Sequence, residues 1–272
     1  MTESETVDVL GLRFHNLTRS EAAGAIVRLA RGEGRHYVVK PYSEFLPRAA
    51  RDAGVRTALD GADLCLPDGV GILWAAHYLS LRGDRVGALF QLPLSLASMV
   101  LRPRALRRPL RQAMRGVDFT WEMLGACADA GLSVYLLGGT RGEVQAAAER
   151  IAERLPAIQV VGARDGYFRD TEVVVEQINA ASPDILLVAM GFPKQEVWIR
   201  QNLARLKVKV AVAEGGSFTF ISGSARRAPS LMRQMGLEWL YRLARQPSRL
   251  RRQTALPLFV WLVVRERLRR AS

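Results

Sequence analysis

A single carboxylate stands in a short turn that follows an apolar segment. The segment Asp63–Leu66 ends in three apolar residues, and Pro67, Asp68 and Gly69 come directly after it. Such a carboxylate can act as a general base, or it can bind a ribose or a metal ion. A lone aspartate in a turn is more often a cap of the local backbone, so both interpretations stay open at this position.

Two glycine pairs follow other apolar segments of the chain. Gly138 and Gly139 precede a predicted helix, and Gly215 and Gly216 follow the last predicted strand. Backbone N–H groups and the helix dipole at the first pair would favour a phosphate group. The spacing there is GGxxG rather than the dinucleotide pattern GxGxxG, so we do not predict a nicotinamide or flavin cofactor. A plain turn between strand and helix explains the first pair nearly as well.

The motifs of common metal-dependent and nucleophilic enzymes are absent from the sequence. The three histidines are scattered, and Cys65 and Cys127 lie in apolar segments, where we expect buried, reduced thiols. The chain has no GxSxG, HExxH or Walker lysine motif, and no convincing Asp-x-Asp pair. We therefore predict no metal ion and no cofactor. A bound nucleotide diphosphate would need arginines or backbone amides to offset its charge.

Positive charge is concentrated in two parts of the chain. The net charge is +13, with +10 in residues 226–272 and +7 in residues 82–115, so the remainder is mildly acidic. Such regions suit an anionic partner, either nucleic acid, acidic lipid or a phosphorylated substrate. No nucleic-acid-binding motif accompanies them, so we predict no nucleic acid partner. Four arginines recur at helical spacing and would share one helix face: Arg242, Arg245, Arg249 and Arg252.

An apolar stretch, Ala255–Val264, lies between arginines near the C-terminal end of the sequence. It contains Phe259 and Trp261 and is too short to span a bilayer. This composition is typical of an interfacial membrane anchor, and Leu89–Leu101 is a second candidate. The alternative is a helical hairpin packed on the domain. No secretory signal follows Met1, so we expect a cytoplasmic protein, peripheral on the inner face of the membrane.

The turns described above separate the elements of a regular pattern. Apolar strands are predicted at His36–Val39, Asp63–Leu66, Ser133–Leu137, Ile158–Gly162, Asp184–Ala189 and Val208–Ala213. Helices are predicted at Ser20–Arg31 with Ser20 as the cap, Ser43–Asp60, Ile72–Leu81, Phe119–Ala130 and Thr171–Ala180. Strands without polar alternation, separated by helices, predict an α/β fold with a mainly parallel sheet covered on both faces. Ligands of such folds bind at the carboxyl ends of the strands, where these turns lie.

The pattern changes after about residue 223, where we divide the chain. Residues 1–223 form the predicted core, and residues 82–115 within it are predicted to be an insertion punctuated by prolines, Pro93 among them. Residues 224–272 form a predicted C-terminal helical appendage that binds the membrane. At 49% apolar and 24% charged residues, the chain can bury a sizeable core, which excludes a disordered protein.

Six sequence motifs occur in the order and spacing of one enzyme family. They are Leu66–Gly71, Leu136–Gly139, Gly191–Ile199, Gly215–Gly223, Arg227–Pro229 and Gly236–Leu243. In these motifs the chain resembles the WecG/TagA/CpsF glycosyltransferases, over residues 7–81 and 116–260. Such enzymes move a sugar, often N-acetylmannosamine or its uronic acid, from UDP to a polyprenyl-diphosphate-linked saccharide. The resemblance implies a Rossmann-like core, a C-terminal appendage that binds the membrane and completes the active site, and no metal requirement.

The resemblance also implies roles for individual residues. Asp68 matches the aspartate proposed as the catalytic base, and Gln195 matches a glutamine expected in the pocket. Three arginines match those of the appendage that contact the diphosphate: Arg242, Arg249 and Arg252. The glycines at strand ends complete the predicted substrate-binding set: Gly138, Gly139, Gly215 and Gly216.

This sequence departs from the family pattern after its first predicted strand. Lys40 and Tyr42 stand where the family has the Thr and Asn of Thr-Pro-Asn-Pro-Glu, which shape the pocket. Glu214 stands where a small residue usually precedes the glycines. Lys40 would either add positive charge beside a diphosphate or be a plain solvated lysine. We include Lys40 and Tyr42 among the predicted substrate-binding residues.

We therefore predict a glycosyltransferase of cell-surface polysaccharide biosynthesis. Its predicted partners are a UDP-sugar donor, a polyprenyl-diphosphate-linked acceptor and an anionic membrane surface. The alternative is a degenerate family member that binds at the membrane without turnover. Lys40 and Tyr42 favour that alternative, whereas Asp68, Gln195 and the C-terminal arginines favour an enzyme. The donor sugar and a homo-oligomeric assembly stay open.

Overall fold

The structure is a computed structural model that describes residues 5–225 and 255–271. It opens with an antiparallel hairpin of β1 (Thr6–Val9) and β2 (Leu12–His15), which the sequence analysis did not predict. Each strand has four residues, and Gly11 in the turn adopts a φ of 80°. Strands this short give little periodicity to detect.

Six parallel strands form the central sheet, as predicted. They are β3 (His36–Val39), β4 (Leu64–Cys65), β5 (Ser133–Gly138), β6 (Gln159–Arg164), β7 (Ile185–Ala189) and β8 (Val210–Ala213). Their spatial order is β4-β3-β8-β7-β5-β6, and every neighbouring pair is parallel. All six carboxyl ends therefore lie at one edge of the sheet, which we call the carboxyl edge.

Helices cover both faces of the sheet. The bounds are α1 (Arg19–Arg31), α2 (Phe45–Ala49), α3 (Ala53–Asp60), α4 (Val70–Ser80), α5 (Arg85–Leu101), α6 (Gly116–Asp129), α7 (Arg141–Arg154), α8 (Thr171–Ala181), α9 (Lys194–Asn202), α10 (Ser217–Ile221) and α11 (Ala255–Arg270). Helices α1, α6, α7 and α10 pack on one face, and the remaining helices and the hairpin pack on the other. Cys65 and Cys127 are buried free thiols, one on each face, as predicted. The predicted α/β fold is confirmed.

Two helix starts differ from the prediction because of their caps. Helix α1 is capped by Thr18, whose side chain accepts from the Glu21 N–H, while the Glu21 carboxylate accepts from the Thr18 N–H. The predicted cap Ser20 therefore lies inside the helix. The single helix predicted over Ser43–Asp60 is two helices. Asp52 accepts a hydrogen bond from the Val55 N–H and so begins α3 anew.

Residues 82–115, predicted as an insertion punctuated by prolines, contain a long helix. Helix α5 has 17 residues and continues through Pro93. Two buried hydrogen bonds fix it to α4, from the Trp74 indole to Ser95 and from the Tyr78 hydroxyl to the Ala88 carbonyl. These bonds stabilise a helix that the proline alone would weaken.

Helix α11 packs against the domain on the same side as α4 and α5. Phe259 and Val263 are buried, Phe259 contacts Trp74 edge-on at 6.1 Å, and Arg267 donates to the Gly83 carbonyl. Trp261 on the opposite side of the helix stays half exposed. No helix within residues 5–225 and 255–271 is long and apolar enough to cross a membrane. The domain boundary at residue 223 stays a prediction.

Candidate functional site

The predicted residues of the core follow neighbouring strands along the carboxyl edge. Asp68 follows β4, Lys40 and Tyr42 follow β3, Gly215 and Gly216 follow β8, and Gln195 follows β7, while Gly138 ends β5 and Gly139 follows it. The sheet order therefore gathers turns that are far apart in sequence, as is usual for ligand sites of parallel sheets. Arg242, Arg249 and Arg252 fall outside the described residues, so their predicted diphosphate contacts stay a prediction.

Asp68 lies at the start of α4, at the outer end of the carboxyl edge. It is half-buried, and its backbone N–H donates to the Pro41 carbonyl at 3.1 Å, which joins the turns after β4 and β3. Gly69 caps the helix with a φ of 80°, a conformation that other residues rarely adopt. This turn sets Asp68 directly before the N-terminus of α4, the positive end of the helix dipole.

Lys40 and Glu214 form a buried ion pair at the centre of the edge. The strand register that pairs Val38 with Val212 brings the two residues side by side, and Lys40 Nζ lies 2.7 Å from Glu214 Oε1. Both side chains are at least 95% buried, so Lys40 is not the solvated lysine that one interpretation predicted. The two unusual residues compensate each other, because each would otherwise leave an unpaired charge in the core.

Helix α6 completes the hydrogen bonding of this pair. The Thr120 hydroxyl donates to Glu214 Oε2 at 2.6 Å, and it lies 3.3 Å from the Ser217 hydroxyl, which itself donates to the Glu214 carbonyl. Lys40 Nζ also stands 5.4 Å from the centre of the Phe119 ring. The Lys40 ammonium is thus engaged inside the protein, which weakens its predicted role toward a substrate phosphate without testing it.

Gln195 joins the turns after β7 and β8. Its side-chain oxygen accepts from the Gly191 N–H at 3.1 Å and from the Gly215 N–H at 3.0 Å, while its amide nitrogen donates to Glu196 at 2.8 Å. The side chain is almost fully buried. These bonds position the glycine turns, and the predicted substrate contact of Gln195 stays a prediction.

Glu196 is a buried carboxyl next to this junction. Burial raises the pKa of Glu196 to about 7, and the hydrogen bond from Gln195 opposes that shift only in part. Its second oxygen has no hydrogen-bond partner within the described part of the chain. A protonated carboxyl is less costly to bury in this way than a carboxylate.

Tyr42 belongs to an aromatic cluster formed by residues that follow β3 and β7 at the carboxyl edge. Its ring meets Phe45 edge-on at 4.6 Å, and Phe45 stacks on Phe192 at 3.6 Å. Tyr42 is half-buried. The cluster gives the site an apolar wall of the kind that lines small-molecule pockets.

The Gly138-Gly139 turn makes its hydrogen bonds within the protein. Gly139 N–H donates to the Ala189 carbonyl, and the N–H groups at the start of α7 are capped by Thr140 and Glu143. A side chain on Gly138 would overlap the Ala189 carbonyl, so the glycine serves close strand packing. This arrangement does not favour the predicted phosphate at the turn, although it does not test it.

Four glycines of the carboxyl edge adjoin space that the described residues leave open. Within residues 5–225 and 255–271, a Cβ atom built on any of them would meet nothing within 4 Å: Gly69, Gly191, Gly215 and Gly216. Backbone there can approach a ligand closely, which is a common use of glycine in binding turns. The described residues contain no group of three or more His, Cys, Asp and Glu side chains placed to hold a metal ion.

Sequence reasoning missed the partners of Lys40 and the stacking partner of Phe45. Thr120 and Ser217 carried no motif that could have revealed them. Lys40 and Glu214 did carry a signal, since both are charges of opposite sign directly after apolar strands. Their pairing became visible only when the structure placed β3 beside β8.

Comparison with known proteins identifies similar sequences over most of the chain. The N-acetylglucosaminyldiphosphoundecaprenol N-acetyl-beta-D-mannosaminyltransferase of Bacillus spizizenii (strain ATCC 23059 / NRRL B-14472 / W23) is 29% identical over 229 residues, covering 84% of this chain and 79% of the relative. The enzyme of the same name from Staphylococcus aureus (strain MW2) is 26% identical over 261 residues, covering 95% of this chain and 92% of the relative.

A family profile matches the chain as well, over residues 7–92 and 90–272. The two matched stretches together include every site residue discussed above. Its description agrees with the resemblance drawn from the sequence motifs. The chain belongs to the Glycosyl transferase WecG/TagA/CpsF family.

Proposed function

We propose that this chain transfers a hexose of the N-acetylmannosamine type from a UDP-sugar to a polyprenyl-diphosphate-linked saccharide. The observation that carries the proposal is the position of Asp68 on the edge where four glycines adjoin open space. The relatives named above act, by their names, on a diphosphoundecaprenol-linked acceptor. The reaction would serve cell-surface polysaccharide synthesis.

In the proposed reaction Asp68 takes the proton of the acceptor hydroxyl. The hydroxyl oxygen then forms a bond to the anomeric carbon of the donor sugar, while the bond from that carbon to the UDP oxygen breaks. Negative charge develops on the departing diphosphate. Arg242, Arg249 and Arg252, together with backbone N–H groups of the glycine turns, would stabilise that charge without a metal ion.

The acceptor carries a lipid, so the proposal places the enzyme at an anionic membrane surface. We propose a cytoplasmic protein, peripheral on the inner face of the membrane, with the arginine-rich residues 226–272 attracted to acidic lipids. A homo-oligomer is compatible with this arrangement.

A non-catalytic binding protein is the second candidate. It is favoured by Lys40 and Tyr42 at pocket-shaping positions of the family pattern. The buried Lys40–Glu214 pair is well satisfied, however, so this departure leaves an ordered site. A UDP-release assay with UDP-sugars and short-chain polyprenyl-diphosphate acceptors separates the two candidates.

The decisive variant is Asp68→Asn, which removes the base and keeps the shape of the side chain. We expect UDP release to fall by roughly 100- to 10,000-fold, the usual contribution of a general base. Asp60→Asn is the matched control, because Asp60 is an exposed partner of Arg56 and should leave turnover unchanged. Near-normal turnover of Asp68→Asn would refute the assignment.

Loss of wild-type turnover in a chelator, restored by magnesium or manganese, would refute metal independence.

A further inference from the structure

Helix α5 carries a continuous exposed apolar face. Of the ten large hydrophobic side chains that are exposed in the described residues, six lie on this helix: Val86, Leu89, Phe90, Leu94, Val100 and Leu101. At 100° of rotation per residue, their positions fall within an arc of about 140°, so they share one side of the helix. Phe90 and Leu94 are each 75% exposed. Contiguous apolar patches of this kind mark interaction surfaces rather than ordinary solvated helices.

The opposite side of α5 is firmly attached to the domain. Ala88 and Ser95 are buried and accept the hydrogen bonds from Tyr78 and Trp74 of α4. Arg267 of α11 donates to Gly83, directly before the helix. The apolar face therefore belongs to a fixed element with one side buried and one side presented outward.

Charge is absent from the helix face and concentrated at both of its ends. Residues 86–101 contain no charged side chain. Six exposed arginines flank them: Arg82, Arg85, Arg102, Arg104, Arg107 and Arg108. The acid within residues 82–108 is Asp84, which caps the helix, so this segment has a net charge of +5.

This distribution matches the layers of an anionic bilayer surface. An interfacial helix buries its apolar face at the boundary of the acyl chains, while flanking arginines meet lipid phosphates. A second copy of this chain would bring arginines of both helices together in either orientation, and like charges repel. The charge pattern thus selects acidic lipid over self-association.

We propose that α5 lies flat in the interface of an anionic membrane and is a docking element of the enzyme. At 17 residues, α5 is about 25 Å long, and it has too few residues to cross the bilayer. The neighbouring helix α11 exposes Trp261, with Arg265 5.1 Å from its ring, which adds an aromatic side chain suited to the headgroup layer. The inference rests on the proposed function, which places the acceptor in the membrane.

The test is co-sedimentation of the full chain with vesicles of phosphatidylglycerol and phosphatidylcholine in equal parts. We expect Phe90→Ser/Leu94→Ser to lower the partition coefficient by about 10- to 100-fold, because two apolar side chains lose their burial. Tyr167→Ser/Val173→Ser is the matched control, since it removes two exposed apolar side chains elsewhere and should bind as the wild type does. High salt should weaken the wild type only in part.

Several results would overturn the inference. The inference fails if the wild-type chain does not bind these vesicles, or if Phe90→Ser/Leu94→Ser binds them as tightly as the wild type. It also fails if that double variant differs from the wild type only in the molecular mass measured by light scattering. The last result would indicate a second copy as the occupant of the face. Melting temperatures of both double variants, expected to equal that of the wild type, exclude misfolding as the cause.

Turnover distinguishes this inference from the proposed function. The α5 variant should release UDP normally with a water-soluble short-chain acceptor and about ten-fold more slowly with a long-chain acceptor embedded in vesicles. Equal turnover on the embedded acceptor would contradict the docking role. Absence of turnover on both acceptors in the wild type would contradict the proposed function, while the vesicle measurement would still decide the role of α5.

Discussion

Two buried glutamates, Glu214 directly after β8 and Glu196 in the first turn of α9, are kept in the core by different means. Glu214 forms a buried ion pair with Lys40, and its second carboxyl oxygen accepts a hydrogen bond from Thr120. Within the described residues Glu196 has an amide partner but no cation, and burial raises its pKa to about 7. The comparison shows that a buried carboxyl in this protein is accommodated either by pairing its charge or by removing it.

Because Glu214 and Glu196 are accommodated differently, different changes should destabilise the protein at each of them. The Lys40–Glu214 pair depends on both partners being present, because removing one leaves a charge buried. The stability contributed by Glu196 and its partner Gln195 depends on pH instead. The two clusters should therefore respond to different perturbations, and three predictions test this contrast.

The largest effect is expected for Lys40→Met, which keeps the volume and removes the cation. Glu214 would be left as an unpaired buried charge, and we expect the free energy of unfolding to fall by about 3–5 kcal/mol. Denaturant unfolding measures the change. The double variant Lys40→Met/Glu214→Gln should recover most of the loss, and Arg56→Met, in an exposed ion pair, should cost below about 1 kcal/mol. Equal losses in the single and double variants would contradict the pairing.

The next effect concerns pH and Glu196. The pKa of Glu196 is about 7 in the folded protein, and its ordinary value is 4.5. As pH rises, the Glu196 carboxyl therefore ionises in the unfolded chain before it ionises in the folded one. The part of the free energy of unfolding that depends on Glu196 should be largest below pH 4.5, fall between pH 4.5 and 7, and level off above, with a total loss of about 3 kcal/mol. Glu196→Gln should remove that component from unfolding curves measured at several pH values. A difference between the two proteins that does not vary with pH would count against the raised pKa.

The smallest of the three effects is expected for Gln195→Ala. The N–H groups of Gly191 and Gly215 would lose their acceptor, and we expect a loss of about 2 kcal/mol in the free energy of unfolding. Because these turns border the open space of the site, KM for the donor should rise more than kcat falls. Asn202→Ala, which loses a buried amide away from the edge, is the control for stability alone. A KM equal to that of the control would show that Gln195 does not order the turns.

The sequence was sufficient for the central sheet and insufficient for its contacts. Apolar runs of four to six residues between amphipathic helices located all six parallel strands, because burial on both faces leaves a clear pattern. The β1–β2 hairpin and the passage of α5 through Pro93 depend on tertiary contacts, which override local preferences. Lys40 and Glu214 are 174 residues apart, so no local rule could join them.

The position of α11 also determines how the arginine-rich segment is connected to the site. The chain continues past α10 to Ala225, whose N–H donates to the Thr219 carbonyl. The second described range begins at Ala255, and α11 then brings Phe259 against the first turn of α4, beside Gly71. Both attachment points therefore belong to helices that begin at the carboxyl edge. Any encounter between an arginine of residues 226–254 and a diphosphate at that edge is intramolecular, with an effective concentration in roughly the millimolar range. The chain acts as a two-point tether, and a separate peptide of the same sequence would have to be supplied at about that millimolar concentration to replace it.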